Sequence, residues 1–201
     1  AKQAAEFVLM HMDSSDGGVR RSSRQGQAQI DAFLDDYTCM IHGLLALHRA
    51  TNEQRWLDEA AKFAAAVRER FWDQSAGGFF DTREGRSDLF VRIKSVYDGA
   101  TPSGNSVMLL NLLDLHERTK EAKYLDDAKK GFAALSGAID RHPSGSVLAV
   151  LALDRLNALN DVIARSDVAK PQAAQTPAKP APKQPAAPAP AGGMAAQAEK
   201  V

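Results

Sequence analysis

Leu45-Ala46-Leu47-His48 returns 68 residues later as Leu113-Asp114-Leu115-His116, and the register holds beyond it. Thr51 meets Thr119, Arg55 meets Lys123, Trp56 meets Tyr124, and Leu57, Asp58 and Ala60 meet Leu125, Asp126 and Ala128. The loops repeat as well. Gly17-Gly18-Val19 echoes Gly77-Gly78-Phe79, and Pro102-Ser103-Gly104 echoes Pro143-Ser144-Gly145. A fixed offset of this kind marks an internal repeat, and it governs how every segment is read. Each unit is an apolar helix, a tight turn, a half-polar helix and a glycine-bearing loop.

The first predicted helix covers residues 1–12, with Ala5, Val8, Leu9 and Met12 on one side. It reads as a helix already under way, as in a piece of a longer chain. A short extended piece follows, Val19 to Arg24. The second helix is expected from Asp35 or Asp36 to about Ala50, with Tyr37, Met40, Ile41, Leu44, Leu45 and His48 at helical spacing. Thr51 offers a cap for a third helix, Glu53 to Phe71, whose apolar face is Trp56, Ala60, Phe63, Ala64, Val67 and Phe71. Phe79-Phe80-Asp81-Thr82 and Asp88-Leu89-Phe90-Val91-Arg92 read as the arms of a small β-hairpin. A largely apolar fourth helix runs from about Ser103 to Thr119, an amphipathic fifth from Glu121 to about Ile139, and a sixth from Val147 to Leu159. The fold class is all-α: antiparallel helix hairpins, a small β-hairpin and a structureless tail. Buried helices alternating with half-wet ones suit two concentric helical layers; a stacked solenoid would give a similar pattern.

The domain boundary falls near residue 160. From 161 to 201 the chain becomes rich in Pro, Ala and Lys, carries seven of the nine prolines and has no aromatic residue. Such a segment cannot bury enough apolar surface to offset its ordering entropy, and disorder is the expectation.

The totals narrow the function classes. With 25 basic and 25 acidic residues the chain has no formal net charge. Nothing electrostatic favours nucleic acid or an anionic membrane. No run is apolar enough to span a bilayer. The single cysteine, Cys39, excludes an internal disulfide and lies in an apolar helical run, so a buried, inert thiol is expected. No metal-ligand spacing and no cofactor motif occurs. A cytoplasmic location follows as the expectation.

Candidate chemistry sits in the loops that enter the apolar helices. Asp35 and Asp36 read as a carboxylate pair in a sugar-binding cavity, or as one helix cap and one exposed acid. Tyr97 and Asp98 offer an aromatic platform beside a carboxylate, or an ordered turn whose Asp bonds its own backbone. Tyr37 completes the first loop, and Tyr37 and Tyr97 are expected as the ring-facing aromatics of the site. Ser103, Asn105 and Ser106 read as caps first and ligand contacts second. His42 reads as a core histidine, and His48 and His116 as packing or helix-end complements. Helix N-termini would favour ionised Asp36 and Asp98 that accept bonds from sugar hydroxyls.

The order and spacing of Leu34-Asp35-Asp36-Tyr37, Gly43-Leu44-Leu45-Ala46-Leu47, Arg55-Trp56-Leu57, Phe71-Trp72-Asp73, Gly77-Gly78-Phe79-Phe80 and Tyr97-Asp98-Gly99-Ala100 through Pro102-Ser103-Gly104-Asn105-Ser106 resemble the C-terminal half of the YyaL/spermatogenesis-associated-20 family. The resemblance covers about residues 1–156. It implies part of an (α/α)6 toroid of the six-hairpin glycosidase type, similar to N-acylglucosamine 2-epimerases. It implies a carbohydrate-like small-molecule ligand, or else a non-catalytic scaffold completed by a partner chain or by self-association. The family's thioredoxin-like domain (DUF255), its cysteine motif and the first toroid helices are not represented in this sequence, so no redox role carries over.

Overall fold

The computed structural model describes residues 1–14, 18–85 and 89–168. The tail expected to be disordered lies, from residue 169, outside the described residues. In chain order the elements are α1 (Lys2–His11), β1 (Arg20–Arg24), β2 (Gln27–Asp31), α2 (Leu34–Thr51), α3 (Gln54–Phe71), α4 (Gly104–Thr119), α5 (Ala122–Arg141) and α6 (Val147–Val168), with a single 3-10 turn, Pro143–Gly145, before α6. The last helix therefore continues eight residues past the boundary read at residue 160.

Helices α2, α4 and α6 lie side by side as one layer, with α4 in the middle. Helix α3 packs on α2, and α5 on α4, as a second layer. Position in this arrangement explains burial. Helix α4 buries every residue from Gly104 to Leu115. Helices α3 and α5 bury one stripe each: Trp56, Ala60, Ala64, Val67 and Phe71 on α3, and Tyr124, Ala128, Phe132, Leu135 and Ile139 on α5. An inner helix has neighbours on several sides, whereas an outer one has them on one. Charge joins the layer where apolar contact ends. The buried Asp114 of α4 accepts from Arg49 of α2 (3.2 Å) and Arg155 of α6 (2.7 Å). The buried Asp127 of α5 accepts twice from Arg68 of α3 (2.6 and 3.3 Å).

The two turns at the far end of the hairpins are alike atom for atom. His48 Nδ1 meets the Glu53 carbonyl at 3.2 Å, and His116 Nδ1 meets that of Glu121 at 2.9 Å. A carbonyl only accepts, so each imidazole carries its proton on Nδ1. Thr51 and Thr119 donate to the carbonyls of Leu47 and Leu115 and accept from the amides of Glu53 and Glu121. Asn52 and Lys120 both adopt the left-handed conformation, at φ 55° and 62°. Arg55 lies over the Trp56 ring, Lys123 over the Tyr124 ring. Thr51 is thus a turn staple and not the cap of α3, whose N-cap position is Glu53.

Among the described residues the β-hairpin forms in the first unit and not at residues 78–93. Strands β1 and β2 pair antiparallel around Gln25-Gly26, both at positive φ (53° and 78°), which is the two-residue turn that suits strand twist. In the second unit, among the described residues, the amide of Phe80 instead bonds the carbonyl of Phe71, and the amide of Asp81 bonds that of Ile93. Arg92 then takes the Thr82 carbonyl with its guanidinium, so that carbonyl goes to a side chain. The two segments occupy corresponding places, since each joins a Gly-Gly turn to the next inner helix.

Two further expectations change. Cys39 and His42 are exposed on α2. The buried stripe of α2 is Leu34, Tyr37, Thr38, Ile41, Leu44 and Leu45, and these two residues lie off it. His42 touches one buried partner, Oδ1 of Asn111, at 3.3 Å.

Candidate functional site

The N-terminal ends of α2 and α4 meet at Gly104. A Cβ there would stand 2.7 Å from Leu34 Cγ and 3.0 Å from the Asp35 amide nitrogen, so only glycine permits this approach. Beside the contact opens a cleft of about 330 Å³, lined among others by Arg21, Phe33, Asp35, Asp81, Thr82 and Tyr97. The loops into both inner helices thus border one space. A second cleft, about 290 Å³ between α3 and α5, is walled by Ala64, Met108, Leu112 and Tyr124, and its Arg68 and Asp127 already pair with each other.

The candidate residues divide sharply. Asp35 lines the cleft and accepts from Arg21 Nη1 at 3.3 Å. Asp36 accepts from the same guanidinium at 2.8 Å and from the Phe33 amide at 2.8 Å, closing the first turn of α2. Burial holds the Asp36 carboxyl above its ordinary value, the Phe33 amide opposes this, and Asp35 adds to it. Asp36 is therefore the third-position acid that accepts from the N-cap amide of Phe33, and Asp35 the cleft acid. Tyr97 lines the cleft with two thirds of its surface open (66%).

Tyr37 does not reach the cleft. It is 1% exposed, packs edge-on against Phe63 and Phe71, and its hydroxyl accepts from the Val19 amide (3.1 Å) and from Arg70 (2.6 Å). Asn105 is fully buried: Oδ1 accepts from the Phe79 amide (3.0 Å), and Nδ2 donates to the carbonyls of Phe79 (2.8 Å) and Ser95 (3.0 Å). Ser103 caps α4 by accepting from the Ser106 amide at 3.0 Å. Both oxygens of Asp98 are engaged, Oδ1 by the Ser103 amide (3.0 Å) and Oδ2 by the Leu148 amide (2.8 Å). Asp98 ties the loop before α4 to the start of α6, which is the ordered-turn alternative on a larger scale.

Asp81 is the cleft residue that sequence reasoning missed, having read it as one position in a strand. Its Oδ1 accepts from the Ser95 amide at 3.1 Å, and its own carbonyl accepts from the Leu34 amide at 3.1 Å. Burial raises its carboxyl above the ordinary range, the Ser95 amide lowers it, and the charge of Asp35 raises it again. Thr82 beside it has a shielded hydroxyl that meets no partner among the described residues. Arg21 lies at the rim over the Phe33 ring, 5.0 Å from its centre. No signal in the chain foretold the meeting of Asp35 with Asp81, because it depends on how the loop after Phe79 crosses the start of α2. Among the described residues no group of acidic, His or Cys side chains is arranged to hold a metal, and no helix is long and apolar enough to cross a membrane.

No protein-family model matches the chain. Among curated proteins it is 33% identical to spermatogenesis-associated protein 20 of Rattus norvegicus over 189 residues, which is 89% of this chain and 24% of that protein. Among solved structures it is similar to a GH76 α-mannanase of Bacteroides thetaiotaomicron, with TM-score 0.54 and 21% identity over 68% of this chain and 37% of that one. It is similar also to a cellobiose 2-epimerase of Spirochaeta thermophila, with TM-score 0.52 and 18% identity over 67% of this chain and 36% of that one. The helical layers are thus part of a six-hairpin, glycosidase-like (α/α) toroid. By sequence over most of its length, and in agreement with its fold, this chain is a relative of the spermatogenesis-associated protein 20 (YyaL-like) family, spanning about a quarter of the length of the curated protein it matches.

Proposed function

We propose that the cleft at the N-termini of α2 and α4 binds a carbohydrate-like small molecule, and that the chain contributes this part of the site to a toroid that binds or acts on such a ligand. One observation carries the reading: two carboxyl groups, a guanidinium and an open aromatic face converge on one cleft of about 330 Å³. Sugar hydroxyls need donors and acceptors together, and a pyranose face needs an aromatic surface. Burial raises the Asp81 carboxyl above its ordinary value, and the two carboxyl groups both offer oxygens to ligand hydroxyls. Two proteins of this fold are named as a mannanase and a cellobiose epimerase, which agrees with the reading. Asp36, Asp98, Ser103 and Asn105 serve the site by holding its walls. A cytoplasmic setting belongs to the same proposal.

The test is NMR titration of the full chain with D-mannose and with cellobiose. Binding should perturb resonances of Asp35, Asp81 and Tyr97. Asp35→Asn and Asp81→Asn should each weaken it about tenfold, which corresponds to about 1.4 kcal/mol. Perturbations confined to α3 and α5 would move the site elsewhere and end this proposal.

A second reading, a scaffold completed by a partner chain or by self-association, has its own support. Helix α6 buries Ala149, Ala152 and Leu156 yet leaves Val147, Val150, Leu151 and Leu153 exposed, and α1 exposes Phe7 and Met10. A row of this kind on a soluble protein marks an interaction surface. Strictly monomeric sedimentation at micromolar concentration would exclude self-association.

A further inference from the structure

The ring of Tyr97 rests on the backbone of Gly145, a residue of the turn that opens the third inner helix. A Cβ built on Gly145 would stand 2.7 Å from both Cδ2 and Cε2 of that ring. Asp98 holds the two loops in this register. Its amide donates to the Gly145 carbonyl at 2.6 Å, and its Oδ2 accepts from the Leu148 amide at 2.8 Å. The ring is therefore supported from one side by main chain, while most of its surface is open and it borders the cleft. An exposed tyrosine with no support would sample several χ1 rotamers, and ordering one of them on binding costs affinity.

We propose that Gly145 is a positioning residue: it seats Tyr97 as a preset stacking platform for the apolar face of a pyranose-like ring. The proposal rests on the cleft reading above and extends it, because it makes the third hairpin part of a site whose acids come from the segments around the first two inner helices. The missing side chain at Gly145 is the device. Any Cβ there collides with ring carbons and not with backbone, and the solvent-open side of the ring leaves it room to give way. Gly145→Ala therefore displaces Tyr97 and leaves the packing of α6 in place.

The experiment uses the full chain labelled with 3-fluorotyrosine. The three tyrosines, Tyr37, Tyr97 and Tyr124, give three fluorine signals, and Tyr97→Phe identifies the middle one of the chain. In ligand-free Gly145→Ala the Tyr97 signal should move while those of Tyr37 and Tyr124 stay, with the thermal midpoint close to that of the unsubstituted chain. Cellobiose or D-mannose should shift the Tyr97 signal in the unsubstituted chain, and Gly145→Ala should bind about tenfold more weakly. On a Tyr97→Ala background, Gly145→Ala should add nothing further. A Tyr97 signal unmoved by Gly145→Ala would overturn the seating. So would a loss of affinity that persists without Tyr97. Saccharide binding that Gly145→Ala leaves intact would sink the platform role alone. An unsubstituted chain that neither sugar perturbs would sink the cleft reading and the stacking that rests on it.

Discussion

The first and second repeat units use the same two devices to hold their ends, and they differ only in what lies between. At the turns, His48 and His116, Thr51 and Thr119, and Asn52 and Lys120 make matching bonds. At the opposite ends, Tyr37 and Asn105 occupy equivalent helix positions, 68 residues apart. Each is buried, and each accepts from the amide that follows a Gly-Gly pair: Val19 in one unit, Phe79 in the other. Those two residues also form matching bridges, Asp13 with Val19 and Trp72 with Phe79. The units diverge at Asp35 and Asp36 against Ser103 and Gly104, and in the hairpin β1–β2 against the loop after Phe79. The cleft is built from these divergent pieces. A repeat keeps what closes its fold and varies what faces its open space.

The largest expected effect breaks the Tyr37–Asn105 equivalence. Asn105→Ala orphans the Phe79 amide and two carbonyls in the core, at about 3 kcal/mol of stability by urea unfolding. Tyr37→Phe keeps the ring and its packing, and loses only the acceptor for the Val19 amide and Arg70, at about 1–2 kcal/mol. Equal losses would show that the two anchors are equivalent in energy as well as in place. Asp98→Asn comes next. It removes the charge at the first turn of α6 and one of two amide bonds, at about 1 kcal/mol, so it should lower the melting temperature and not saccharide binding alone.

The twin turns allow a sharper comparison. His48→Ala and His116→Ala each lose one hydrogen bond, at about 0.5–1 kcal/mol. Their costs should agree within about 0.5 kcal/mol, and a cost at one turn only would mean that packing and not the bond sets the value.

The smallest effect concerns pH. Because burial raises the Asp81 carboxyl in the folded state, its contribution is fully present below the unfolded carboxylate value and is lost as pH rises through the folded one. Relative to the unsubstituted chain, Asp81→Asn should therefore fare better at pH 7 than at pH 3 in thermal melts. A difference that is flat with pH would show that Asp81 carries no shifted proton.

The amino-acid sequence by itself determined the helices, their alternation and the repeat. Period, turn chemistry and a constant offset are local properties, and Trp56, Ala60, Ala64, Val67 and Phe71 bury as their spacing requires. It determined also that the loops before the inner helices carry the polar residues. The tertiary structure decided which of these face the cleft. Tyr37 and Asn105 have the same side chains whether they meet a ligand or a buried amide, and only the neighbouring loop chooses. Cys39 lies in an apolar run, but burial depends on a neighbour on that side of α2. The strand propensity of Phe79-Phe80 yielded because the Phe79 amide found Asn105 of α4 and the Phe80 amide found the Phe71 carbonyl of α3, while Gln25 and Gly26 form the hairpin turn of the first unit. Asp81 meets Asp35 only when α4 packs against α2 at Gly104. That approach is a property of two helices in contact, which no single stretch of chain contains.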